Sequence, residues 1–172
     1  MAGIIKLQVR GDYTGSSDEL ETHLFIKGVD KMKAIPYFNF PNTKEVLAFY
    51  EKIGAKNIRI LLASDEMFAD MSPEMAPKDP DEFVMNAEFE LFGNTIYASD
   101  SWDRRDVDHS GSNISFVFTL SNDNEVQAVK DFFDKAIENG FTVEMPLEAS
   151  EWTELFGMLK DPFGLSWMFS GE

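Results

Sequence analysis

Trp152-Thr-Glu-Leu-Phe-Gly-Met-Leu-Lys-Asp-Pro-Phe-Gly-Leu-Ser-Trp-Met-Phe169 reads as a strand, a tight Asp161-Pro162-Phe163-Gly164 turn and a returning strand. Proline presets φ and glycine accepts positive φ, so this tetrad between two alternating runs signals a hairpin. Leu165, Trp167 and Phe169 fall on one face of the returning strand, because successive side chains point to opposite faces. The hairpin therefore ends the chain in antiparallel sheet with one apolar face.

The segment before it has the same character, and it occurs twice. Ile35-Pro-Tyr-Phe-Asn-Phe40 reads as a strand, and Pro41-Asn42-Thr43 opens an amphipathic helix with Val46, Leu47, Phe49, Tyr50 and Ile53 inward, stopping at Gly54. Asn113–Leu120 is the second such strand. Ser121-Asn-Asp-Asn124 supplies cap chemistry for a helix with Val126, Val129, Phe132, Phe133, Ala136 and Ile137 inward, ending at Gly140. After the first helix the strand candidates are 57–63, 83–92 and 94–99; after the second they are 141–145, 155–160 and 165–170. The scheme is βαβββ repeated, module one over about 34–100 and module two over about 113–170. It predicts an α+β fold of curved, mostly antiparallel sheets with helices on one face.

Alternation assigns the faces. Met85, Ala87, Phe89 and Leu91 oppose Asn86, Glu88 and Glu90; Phe38 and Phe40 oppose Tyr37 and Asn39; Ile114, Phe116, Phe118 and Leu120 oppose Asn113, Ser115 and Thr119. Each sheet is expected to pack its apolar face on its own helix and leave the other face polar. The polar faces are either ordinary solvated surface or the walls of a cup.

Two connections interrupt the strands. Residues 64–81 hold Met67, Phe68, Met71, Met75 and three prolines, which suits either a ligand-adapting lid or a cover over core. Residues 100–112 hold Trp102, Arg104, Arg105 and His109, a basic cluster that either meets an anionic ligand or is a solvated turn paired to local aspartates. The first 31 residues stand outside the repeat: Ile5, Leu7 and Val9 suit a strand, Ser16 and Glu19 have capping-box spacing before a helix ending at Gly28, and Met32 reads like a second beginning. The expected division is thus a 1–31 extension and a 32–172 domain.

Composition narrows the function. The 172 residues carry a net charge of −16, a field that repels phosphate backbones and anionic lipids, so neither a nucleic acid nor a membrane surface is an expected partner. No apolar run reaches the ~18–20 residues that span a bilayer, and the N-terminal residues lack a secretory apolar core. Cytoplasmic is the expected location. There is no cysteine, which removes thiolate nucleophiles and Cys-based metal sites. No Gly-rich turn lies between a strand and a helix, so phosphate and dinucleotide fingerprints are missing, and with them the expectation of a conventional methyltransferase or a nucleotide-type cofactor.

The ordered set Ile35-Pro-Tyr-Phe-Asn-Phe, Val46-Leu-Ala-Phe-Tyr50, Asn86-Ala-Glu-Phe, Ala98-Ser-Asp-Ser101, Asn113-Ile-Ser, Met145-Pro-Leu147, Phe156-Gly-Met and Asp161-Pro-Phe-Gly-Leu-Ser-Trp-Met168 resembles the PhnB-like family. That family belongs to the vicinal oxygen chelate superfamily, with glyoxalase I, bleomycin-resistance proteins and extradiol dioxygenases. The resemblance runs over about residues 34–170 and implies the paired βαβββ fold, a cup-shaped cavity and a homodimer. Members that use a metal place His or Glu on cup-facing strand positions. The matching places here fall near Ile35, Tyr97, Asn113 and Met168, none a good ligand, and Asn86 stands where PhnB-like relatives often have His.

The residues agree with that reading. The two histidines are His23, in the extension, and His109, in a connection, whereas a first-row metal site needs donors converging from separate strands. Glu88 and Glu90 alone offer paired carboxylates on one strand face, suited at most to a hard cation with waters. The expected function is small-molecule binding in a metal-free cup, with Tyr37, Asn86, Glu88, Tyr97, Asn113 and Trp152 contacting the ligand. The alternative is a lyase, isomerase or dioxygenase with Glu88 as general base or metal ligand.

Overall fold

The computed structural model describes residues 33–172. The strand, capping box and helix expected before residue 32 lie outside the described residues. The first sheet holds β1 (Tyr37–Phe40), β2 (Lys56–Leu62), β3 (Val84–Leu91) and β4 (Asn94–Asp100); α1 (Thr43–Ile53) connects β1 to β2. The second holds β5 (Asn113–Phe118), β6 (Thr142–Glu148), β7 (Phe156–Lys160) and β8 (Ser166–Gly171), with α2 (Asp123–Glu138) between β5 and β6. Strand order is β1-β4-β3-β2 in one sheet and β5-β8-β7-β6 in the other. β1 runs parallel to β4 and β5 parallel to β8, while the remaining pairs are antiparallel. The repeated βαβββ scheme and the α+β class are therefore what the chain adopts. No helix of the described residues is long and apolar enough to cross a membrane.

The local causes are those expected. Asn42 caps α1 by accepting from the backbone N–H of Glu45, and Asn122 caps α2 by accepting from that of Asn124. Gly54 ends α1 with φ at 122°, a value any side chain would strain. In the β7–β8 hairpin Gly164 sits at φ 90°, its N–H donating to the Asp161 carbonyl.

Three details differ from the sequence reading. The packing is not one helix per sheet. Both helices and the inner faces of both sheets share a single core, with Phe40, Tyr50 and Phe89 of module one continuous with Phe116, Phe132, Trp167 and Phe169 of module two. Phe49 of α1 stacks on Phe141 at 5.8 Å and meets Phe163 edge-on, and Phe92 from the β3–β4 turn packs on Phe116, Phe132 and Phe169. The outer faces of both sheets consequently look away from this common core.

Second, β3 carries a bulge: Leu61 pairs with Asn86 but Leu62 pairs with Val84. The extra residue turns Val84 inward, fully buried, and puts Met85 beside Tyr37, Asn39 and Ser99 on the outer face. Third, Ile137 is 45% exposed. The buried stripe of α2 runs through Val129, Phe132, Phe133 and Ala136, and the next residue has rotated about 100° off that stripe.

The modules are also latched by polar groups. Asp161, buried in the hairpin turn, accepts at Oδ2 from the Tyr50 hydroxyl at 2.6 Å and from Trp167 Nε1 at 3.0 Å. Its Oδ1 accepts from the N–H groups of Phe163 and Leu165, both at 2.9 Å. Four donors meet one buried carboxylate, which offsets its desolvation. Burial first, and then the neighbouring Asp161 charge and hydrogen bond, push the Tyr50 hydroxyl well above its ordinary pKa of 10.0.

Candidate functional site

Strand register assembles the outer face of the first sheet. Tyr37 pairs with Tyr97, Tyr97 with Glu88 and Glu88 with Arg59, so two phenols, a carboxylate and a guanidinium form one row across four strands. The two tyrosine rings meet edge-on at 6.3 Å. Beside that row Asn39 pairs with Ser99, its Nδ2 donating to Ser99 Oγ at 2.7 Å, and Asn86 pairs with Leu61. On the other flank Glu90 pairs with Thr95 and accepts from Asn57 Nδ2 at 2.6 Å. At the β1 and β4 ends of this face lies a hollow of about 380 Å³, lined by Tyr37, Asn39, Met85, Ser99, Trp102 and Arg105 among others.

Asp100 fixes the end of this face. Its buried carboxylate accepts from the N–H of Thr43 at 2.7 Å and of Val84 at 3.0 Å, and Arg104 Nη1 lies 3.3 Å away. One side chain thereby holds the start of α1, the start of β3 and the connection after β4. Arg104 Nη2 also bridges to Asp79 at 2.9 Å. The basic cluster is thus partly spent on local aspartates, as one reading of the sequence had it. His109 is not part of a solvated turn: it is buried, its Nε2 lies 2.9 Å from the Asn39 carbonyl, and its ring packs on Phe40 at 5.0 Å.

The outer face of the second sheet is different. Ser115, Met168, Met158 and Met145 form one cross-strand row, and Asn113, Ser166 and Lys160 form the next. Glu144 accepts from Ser166 Oγ at 2.8 Å and lies 3.4 Å from Lys160 Nζ. Trp152 is 64% exposed and rests edge-on against Phe156.

Of the residues singled out from sequence, Tyr37, Asn86, Glu88 and Tyr97 are brought together on the first sheet. Asn113 lies on β5 of the second sheet and Trp152 in the connection between β6 and β7, so neither joins them. Asn39, Ser99, Arg59 and Met85 join the first face without having been named as ligand contacts, and Trp102 and Arg105 reach its end from the basic cluster of the 100–112 connection. Asn39 and Ser99 follow two residues after Tyr37 and Tyr97, so strand period alone would place them. Met85 depends on the β3 bulge and Arg59 on a second register shift, in β2 between Lys56 and Arg59; no local signal announces either.

Of the places that the family resemblance matched to metal ligands, Ile35 precedes β1, Tyr97 stands on the first sheet, and Asn113 and Met168 stand on the second; none of the four is a carboxylate or an imidazole. No cluster of three or more His, Cys, Asp or Glu suited to a metal ion forms among the described residues.

Two open, mixed four-stranded sheets, each built from a βαβββ module, define an α+β protein of paired modules. The family model described as 3-demethylubiquinone-9 3-methyltransferase matches residues 32–170, and the chain belongs to that family. Protein YjdN of Escherichia coli K12 is 29% identical over 146 residues, covering 81% of this chain and 95% of that protein. The crystal structure of protein PA1353 from Pseudomonas aeruginosa is 27% identical with a TM-score of 0.58, covering 83% of this chain and 98% of the other. The PhnB protein of Bacillus cereus, 20% identical with a TM-score of 0.50 over 82% of this chain and 100% of its own, has the same fold. The description of the family names a methyltransferase, yet both strand-to-helix turns here, Pro41-Asn42 and Thr119–Asn122, are free of glycine, the residue that lets backbone close on a phosphate.

Proposed function

We propose that the chain binds a small organic molecule on the outer face of the first sheet, against Tyr37, Tyr97, Glu88, Asn86 and Arg59, without a metal ion. The carrying observation is the row of phenol, phenol, carboxylate and guanidinium across four adjacent strands. Such a row supplies flat contact area together with donors and acceptors in fixed places. Because both outer faces turn away from the shared core, the second wall of a cup over this row comes from another copy. In the resulting homodimer the methionine row of one chain faces the tyrosine row of its partner. Thioethers opposite phenols make a wall that adapts to ligand shape.

A thermal-shift screen against metabolites and antibiotics tests this reading. Hits are expected, and Glu88→Gln or Tyr97→Phe should weaken them by about tenfold, the effect of losing one hydrogen bond to a charged group. No hit at all, or hits indifferent to both substitutions, overturns the site. A chain that sediments as a monomer while binding normally overturns the paired cup.

The second reading, a lyase, isomerase or dioxygenase with Glu88 as base or metal ligand, draws support from the placing of Glu88 between Tyr97 and Arg59. Stoichiometric Ni, Zn, Fe or Mn in protein purified without chelators, or turnover abolished by Glu88→Gln with folding intact, would establish it over simple binding.

A further inference from the structure

A second cavity, of about 710 Å³, lies outside the tyrosine row, between residues 74–79 of the long connection, Phe83 and the segment 102–104. That is the size of a site for a drug-sized ligand. Its wall is an indole held from one side: Trp102 stacks on buried Phe83 at 5.3 Å with 26° between the rings, yet remains 47% exposed. Met75 adjoins it and is 60% exposed, so this methionine covers no core. Underneath, the Arg104 guanidinium lies over the Phe83 ring at 5.9 Å.

The backbone that presents Trp102 is strained. Asp103 and Arg104, consecutive and neither of them glycine, have φ of 60° and 50°. Left-handed non-glycine residues persist where surrounding contacts over-determine them, and they concentrate at ligand clamps. Here the contacts are the bonds of Arg104 to Asp79, Asp100 and the Pro41 carbonyl. Those bonds also commit the Arg104 charge. Glu74, Asp79 and Asp103 line the cleft and Asp100 stands behind it, against Lys78 and Arg104, in a chain of net charge −16. An anion is therefore disfavoured, and a flat cation gains from both the indole face and the acidic surroundings.

We propose that this cleft is a separate binding site for a planar aromatic cation, stacked on Trp102 and flanked by Met75. The site goes beyond the sheet-face reading, although Trp102 and Phe83 also border the hollow at the end of that face.

Titration of the full chain with proflavine, followed by fluorescence polarisation, tests it. Saturable single-site binding is expected, weakened about tenfold or more by Trp102→Ala. Met75→Lys, a change at an exposed side chain that leaves the fold intact, should cause a comparable loss by placing a like charge against the ligand. Anthracene-2-sulfonate, of similar shape and opposite charge, should bind about tenfold more weakly or worse. No proflavine binding by the unaltered chain, equal binding of the anion, or a loss on Trp152→Ala rather than Trp102→Ala overturns the proposal. A loss on Glu88→Gln with no effect of Met75→Lys assigns the dye to the sheet face and overturns it too. Failure here with Glu88-dependent hits in the library screen leaves the sheet-face reading standing.

Discussion

Tyr50→Phe deletes one oxygen from the centre of the molecule and tests whether the Tyr50–Asp161 latch joins the modules. The bond is 2.6 Å long, and both residues are buried. A hydrogen bond to a charged acceptor contributes about 1.5–3 kcal/mol, and no volume is added. At about 2–4 °C per kcal/mol for a chain of this size, Tm should fall by roughly 3–12 °C, with the urea m-value unchanged. The pH dependence provides a sharper test. Tyr50 has its folded pKa raised above the ordinary 10.0, so its contribution is complete below that value and is lost as pH climbs through the folded pKa. In that window the unfolded chain has released a proton that the native state keeps, so the parent loses about 1.4 kcal/mol per pH unit relative to the variant. Urea unfolding at pH 7 and at steps above pH 10 measures both effects. A deficit below about 0.5 kcal/mol at pH 7, or parallel alkaline slopes, would refute the latch.

Other expectations follow from packing and capping. Gly157→Ala places a Cβ 2.5 Å from Phe133 Cζ and 3.1 Å from the Leu147 Cα, and backbone cannot yield as a side chain can; chemical denaturation should show a loss of about 1–3 kcal/mol. Gly111→Ala meets nothing within 4 Å and should stay within about 0.5 kcal/mol of the parent. Glu125 accepts from the Thr119 N–H at 2.7 Å and from Asn122 Nδ2 at 2.8 Å, and the Thr119 bond leads in holding its pKa below the ordinary 4.5. Its contribution is present above that value and disappears as pH falls through the lower folded pKa, so Glu125→Gln should flatten the acid limb of a Tm-versus-pH curve. Elemental analysis of protein purified without chelators should find less than one Ni, Zn, Fe or Mn per chain, and EDTA should leave Tm unmoved; a stoichiometric metal contradicts the donor set on the strands.

What the sequence made legible was whatever depends on neighbours along the chain. The Asp161–Gly164 turn, the caps at Asn42 and Asn122 and the apolar stripes of both helices are local, and the structure holds each of them. The same period put Tyr37, Asn86 and Glu88 on the polar faces of their strands, while Tyr97 was reached only through the family resemblance. The period could not show that Glu88 stands opposite Arg59, since cross-strand partners depend on register and β2 shifts register by one residue between Lys56 and Arg59. Nor could it show that Phe49 and Tyr50 bury themselves against the other module. His109 looked like loop polarity because nothing nearby reveals that Phe38, Phe40 and the Asn39 carbonyl enclose it.

The single core has a consequence for how this duplicated chain can be handled. Its halves repeat one another in outline, yet neither owns a complete interior: Tyr50 ends on a turn of the far half, and Phe92 fills a space walled by α2 and β8. The halves are therefore not interchangeable beads. Cutting the backbone between residues 105 and 108 would yield two fragments that acquire structure only by finding each other, and their reunion would serve as a switchable reporter of proximity.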